Sequence, residues 1–116
     1  MIIPYYIEYL SGSLDVPVYA EVPETPPGGE LPAAFVIVEK TGSTESNRIK
    51  TASVAFQSWA PSLLAAMEIN DEVKAAVAAS IADGKISRAA CTNDYNWTDE
   101  STKRHRMQAI FEIVYY

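Results

Sequence analysis

The stretch that most limits what this chain can fold into is residues 47–59, NRIKTASVAFQSW, together with the apolar, alanine-rich run directly after it. Ala52, Val54, Phe56 and Ser58 fall on one side of an extended backbone. Thr51, Ser53, Ala55 and Gln57 fall on the other. That period of two predicts a long strand with one apolar and one wetter face. Near Ala60-Pro61 the period changes. Leu63, Leu64, Met67, Val73, Val77 and Ile81 recur at three- and four-residue steps, which predicts a helix of about twenty residues buried along that stripe. Alanines at 65, 66, 75, 76, 78, 79 and 82 make it a strong and slim helix former. Pro61 suits the first turn, so the cap falls to Ser58 or Ala60. Asn70-Asp71 is a point where the helix could break and re-cap, and Asp83-Gly84 is its stop. The Phe56 face should hold this helix, leaving the Gln57 face to the rest of the sheet or to a neighbour.

The other segments arrange themselves around that unit. Tyr6, Ile7, Leu10 and Leu14 sit at helical spacing after Pro4, predicting a short amphipathic helix over residues 4–12. Residues 16–22 are strand-like, but Pro17 lacks an N–H and places them at an edge or a strand start. Residues 23–32, PETPPGGELP, are an extended, partly polyproline loop that reads either as a semi-rigid connector or as a docking arm carrying Pro26 and Pro27. Residues 34–41 form a further strand, whose apolar run Phe35, Val36, Ile37, Val38 suits cover on both faces. Residues 42–47 are a polar hairpin loop, 85–92 a fourth strand, and 93–103 a polar loop holding Tyr95 and Trp97. In residues 104–116, His105, Met107, Ala109, Phe111, Ile113 and Tyr115 should face the core, opposite Arg104 and Arg106.

The implied order is α-β-β-β-α-β-β: an α+β fold with a mainly antiparallel sheet of about five strands and the long helix on one face. The 116 residues amount to a single domain, a short N-terminal helix followed by a body over residues 15–116.

Chemistry is sparse. The one histidine, His105, lies between two arginines, and no nucleophile is signalled beside it. The lone cysteine, Cys91, sits in a small apolar stretch and reads as a buried thiol in a reducing, cytosolic setting. Asp94, Asp99 and Glu100 share a loop without calcium-loop spacing, and histidine and cysteine are too few for zinc. Gly28-Gly29 and Gly42 make no phosphate-binding fingerprint. The expectation is therefore no enzyme, no cofactor and no metal site. A net charge of −6 argues against wrapping nucleic acid. No segment has the apolar length of a membrane span.

Contact surfaces are better signalled. Tyr95 and Trp97 read either as anchors for a partner or as a lid folded back on the sheet. Arg104 and Arg106 read either as cross-strand partners of glutamates or as a subunit or lumen contact. Tyr5, Tyr6, Tyr9, Tyr115 and Tyr116 make both ends tyrosine-rich, as core cover or as contact surface.

The order of several short motifs is similar to a known family. These are Val16-Pro-Val-Tyr19 and Val22-Pro23, then the proline-rich loop, then Phe35-Val-Ile-Val-Glu-Lys-Thr-Gly42. After them come Ala55-Phe-Gln-Ser-Trp-Ala60 running into Ser62-Leu-Leu-Ala-Ala66, and Tyr95-Asn96 ahead of Arg106-Met-Gln-Ala-Ile-Phe111. Together they resemble the tail-completion, or tail-terminator, proteins of long-tailed phages and prophages, over most of the chain. The resemblance implies a sheet with helices on one side and a non-enzymatic role. It implies a ring of copies, typically hexameric, at the head-proximal end of the tail tube. That ring stops tube growth and joins the tail to the capsid. The implied partners are further copies of the chain, the tail tube protein and a head-completion or connector protein. The implied location is the host cytoplasm during assembly and then the virion. The family has no catalytic residues to carry over. DNA passing through the lumen fits the acidic balance. The polar hairpin and the polyproline arm are candidates for the two patches that a ring needs. Another connector or tube component, or a small ligand- or peptide-binding module, is the alternative role.

Overall fold

The computed structural model describes residues 2–23, 32–98 and 104–116. The elements run α1 (Ile2–Ser13), β1 (Val18–Tyr19), β2 (Phe35–Ser46), β3 (Ile49–Ala60), α2 (Leu63–Ala79), a 3-10 turn (Ser80–Asp83), β4 (Ile86–Asn96) and β5 (His105–Tyr115). They form one five-stranded sheet in the order β1-β2-β3-β5-β4, antiparallel except for the β1–β2 pair. The α+β class and the element order expected from the sequence are the ones found.

β3 is the central strand. Its inner face carries Ala52, Val54, Phe56 and Ala60 into the main core, which Ala109, Phe111 and Ile113 of β5 continue. Phe56 meets Phe111 edge-to-face at 5.7 Å and Tyr6 at 5.4 Å. Such offset aromatic pairs add to the stabilisation from burial alone.

α1 and α2 both cover this inner face, tied together by tyrosines. Tyr6 is fully buried, and its hydroxyl lies 2.9 Å from Ser80 Oγ. Because Ser80 Oγ donates to the Val77 carbonyl, Tyr6 is the donor in that pair. Burial, reinforced by nearby Tyr9, pushes the Tyr6 hydroxyl up to about 12. Tyr9 donates to the Ala76 carbonyl at 2.7 Å, and Tyr5 to Asp83 at 2.7 Å. Burial and the Asp83 carboxylate hold the Tyr5 hydroxyl above its ordinary range. The N-terminal tyrosines are thus core cover rather than a free surface.

Several boundaries differ from expectation. The hairpin loop placed at residues 42–47 is mostly strand: β2 and β3 pair out to Ser46↔Ile49. Only Asn47 and Arg48 turn, both with positive φ (51° and 65°). Two successive left-handed residues are what a two-residue hairpin needs to match strand twist. The strand expected over residues 16–22 shrinks to Val18–Tyr19, at the edge as Pro17 required. Residues 93–96 belong to β4 rather than to a loop.

The helix also differs in cap and face. Ser62, not Ser58 or Ala60, is the cap, accepting from the Ala65 N–H at 3.2 Å. The strand runs through Ala60, which leaves Pro61 outside the helix. The predicted stripe is wrong at Leu64, Met67 and Ile81, which are 67%, 45% and 52% exposed. Val73 and Val77 do face the core, and Ala66, Ile69, Asn70 and Ser80 complete that face at three- and four-residue steps. Leu64 stands half a turn away from Val73 on the opposite side of the helix. Asn70-Asp71 does not break the helix. Asn70 is buried and donates to Asp94 of β4 at 2.7 Å. Gly84 caps the end with φ 80°, a left-handed position suited to glycine.

Candidate functional site

The outer face of the sheet has no helix over it among the described residues. Among the described residues its cover comes from the strands' own side chains. Hairpin register sets Phe35 opposite Trp59, and Trp59 opposite Arg106. The Trp97 N–H then donates to the Arg106 carbonyl at 2.9 Å, extending the row past the end of β4. Tyr19 of β1 joins at the other end. The result is one ladder across the sheet: Tyr19, Phe35, Trp59, Arg106, Trp97.

The stacking is close. Tyr19 and Phe35 centroids are 6.1 Å apart, and Phe35 and Trp59 are stacked at 5.3 Å and 15°. The Arg106 guanidinium carbon lies 4.9 Å from the Trp59 ring centre and 4.1 Å from that of Trp97. The cation is therefore held between two indoles, the best aromatic partners for a guanidinium. Arg106 Nε also donates to the Trp97 carbonyl at 2.5 Å. Arg104 lies 6.0 Å above Phe35.

Beside the ladder on the same face lies a second row, Ile37, Gln57, Gln108 and Tyr95 in register, polar except for Ile37. Gln57 and Gln108 are each 6% exposed. Gln57 accepts from Trp59 Nε1 at 3.2 Å and donates to Glu39 at 3.4 Å. Gln108 Nε2 donates to the Tyr95 hydroxyl. Each buried amide thus meets a partner, which keeps the ladder's footing fixed. The wetter face expected for β3 is correct for its first half only, since Ala55, Gln57 and Trp59 are buried.

The structure brings together four of the residues singled out from sequence: Tyr95, Trp97, Arg104 and Arg106. Tyr95 and Trp97 lie back on the sheet, and Trp97 remains 43% exposed. Among the described residues no carboxylate lies within ion-pair distance of Arg104 or Arg106, whose neighbours are aromatic rings. Pro26 and Pro27 lie outside the described residues. Sequence reasoning does not single out Phe35, Trp59 and Tyr19 as site residues. The available signal was Trp59, which has the same strand parity as Gln57 and so puts a large ring on the supposedly wet face.

Elsewhere, Cys91 is exposed rather than buried, on the free edge strand β4. His105 is half-buried on the inner parity, paired with Ala60. Among the described residues no three of histidine, cysteine, aspartate and glutamate gather as a metal set. The one charge cluster among the described residues joins Lys74 to Asp71 at 3.4 Å and to Asp94 at 2.5 Å. Burial works to raise the Asp94 carboxyl, but the bonds from Lys74 and Asn70 outweigh it and hold the group below its usual range. The bond to Asp94 in turn raises Lys74. This cluster ties the edge strand to α2.

Compared with known proteins, the chain matches no family model, and no curated relative is found.

Proposed function

We propose that this protein is a non-enzymatic assembly subunit that works through surface contact. In line with the family it resembles, we place it as a tail-terminator or tail-completion subunit. In that role copies form a ring on the head-proximal end of a phage tail tube, stop its growth and offer the joining surface to the head connector. It acts in the host cytoplasm during assembly and afterwards in the virion.

The observation that carries this reading is the outer ladder. Tryptophan, tyrosine and arginine are the residues that dominate binding energy at protein interfaces. Here they stand in one pre-stacked row on a face without a covering helix among the described residues, ending in a half-exposed Trp97. A surface already held in place loses little conformational freedom on binding. The exposed β2–β3 arm also supports the reading: every residue from Glu39 to Lys50 is exposed, and Arg48 holds a left-handed backbone that costs a non-glycine residue energy.

The test is electron microscopy of the purified protein, alone and mixed with tail tubes from its own phage. Closed rings, or rings seated only at tube ends, are expected. Long tubes built from this protein alone would make it a tube component. Particles that leave the tube ends bare would remove the terminator reading.

A further inference from the structure

A second surface lies at the far end of the molecule from Trp97. The start of α1, the turn after α2 and the last residues of β5 enclose an open cleft of about 690 Å³. Its floor is apolar, from Ile2, Ile3 and Tyr115 among others, and its rim carries Lys40, Lys50 and Lys85. Among the described residues the only ion pairs are those of Lys74, so the three rim lysines have no carboxylate partner there. Lys50 lies 5.9 Å over the Tyr115 ring. Glu8 also lines the cleft, and the nearby Asp83 carboxylate is already bonded to Tyr5. In a chain of net charge −6, this is a local concentration of cations over an apolar floor.

The outward side of α2 is its complement. Leu64 and Met67, 67% and 45% exposed, share one helical face with Glu68 and Asp71, and Glu72 flanks it; Asp71 also lies 3.4 Å from Lys74 at the edge of that face, so Glu68 and Glu72 are the acids without a cation of their own among the described residues. All three acids are exposed. The face is an apolar strip edged with carboxylates, and no described element covers it. From Glu68 to Gly84 the helical layer runs roughly 25 Å at helical rise. The two surfaces therefore stand at opposite ends of that layer and cannot meet within one molecule.

We infer that the outer face of α2 in one copy docks in the lysine-rimmed cleft of the next, Leu64 and Met67 on the apolar floor and Glu68, Asp71 and Glu72 facing Lys40, Lys50 and Lys85. The second copy is the fitting occupant because the same chain supplies both the cationic apolar cleft and the acidic apolar face. Such a contact is heterologous, so each copy keeps one free face of each kind, and repetition closes a ring or extends a filament. The polar hairpin and the polyproline arm are then not needed for the contact between copies. The inference rests on the assembly reading only in taking the copies to build a larger structure.

The test uses two charge-reversed full-length proteins, K40E/K50E/K85E and E68K/D71K/E72K, with the wild type, in analytical ultracentrifugation at low salt. All six positions are solvent-facing, and circular dichroism of each variant checks its fold. The wild type should associate, weakening at least about tenfold between roughly 50 and 300 mM salt, since the contact is charge-guided. Each variant alone should be monomeric. Mixed, they should associate again, because the unchanged helix face of one meets the unchanged cleft of the other and the two reversed surfaces are complementary in charge as well. Three results overturn the contact. They are a wild type that stays monomeric at millimolar concentration, association that ignores both reversals, and a mixture that does not pair. Reversal-insensitive rings would overturn the contact and leave the terminator reading standing with another interface. Salt-sensitive pairing without any tube-end binding would remove the terminator reading and keep the contact.

Discussion

The two faces of β3 come from one strand and are covered in different ways. Inward, Ala52, Val54, Phe56, Ser58 and Ala60 all lie buried beneath two helices, α2, which follows the strand directly, and α1, which is distant in sequence. Outward, Ile49 is exposed and Thr51 and Ser53 are half-buried before the strand reaches its covered end at Trp59. Among the described residues the outer cover is built from side chains of the sheet alone, and its last member, Trp97, is still 43% exposed. The inner face is closed by the fold and the outer face stops at a surface that another chain could extend. The inner side should therefore govern stability and the outer side contact with a partner other than the next copy.

The largest expected effect tests the inner face. Phe56→Ala and Phe111→Ala should each cost about 3–5 kcal/mol in urea unfolding, since both rings are buried and in contact. A loss under about 1 kcal/mol for either would invert the two faces. Next comes Trp59→Ala, which removes a 7% exposed ring supported on one side by side chains only. A cost of about 2–3 kcal/mol is expected, between full core and surface values. A loss as large as that of Phe56 would erase the difference between the two faces.

Much of the inner face could be read from the sequence, because alternation in β3 and β5 sorts residues without knowledge of their neighbours. Phe56, Phe111 and Ile113 are where period two puts them. The outer ladder was less visible because it depends on register. Nothing local to Phe35, Trp59 and Arg106 says that they lie side by side; the two-residue turn at Asn47-Arg48 and the pairing of β3 with β5 decide it. Helix α2 shows a different limit. Its alanines and scattered apolar residues fit more than one stripe, and periodicity alone puts Leu64 and Met67 on the wrong one. The sheet accepts Ala66, Ile69 and Asn70 instead, and Asn70 faces inward to reach Asp94.

A smaller effect concerns the join between edge and helix. Asp94 has its carboxyl held low in the fold, so it stabilises the protein above the unfolded carboxyl range near pH 3.8. That contribution falls away as pH drops through the still lower folded value. Asp94→Asn should cost under about 1 kcal/mol at pH 7, because the pair is partly exposed. The variant and the wild type should converge in stability toward about pH 2. A difference that persists there would assign the loss to packing rather than charge.

The smallest expected stability change belongs to Trp97→Ala, within about 1 kcal/mol of wild type because the ring is half-exposed and peripheral. Its effect on association should be far larger, and this separates the two faces most directly. The deciding measurement is the fraction of tail-tube ends capped, counted in electron micrographs, for wild type and for Trp97→Ala at equal concentration and confirmed fold. If the outer ladder is the contact surface, the wild type caps the ends and the variant leaves most of them bare. Equal capping by both, or no capping by the wild type, would contradict it.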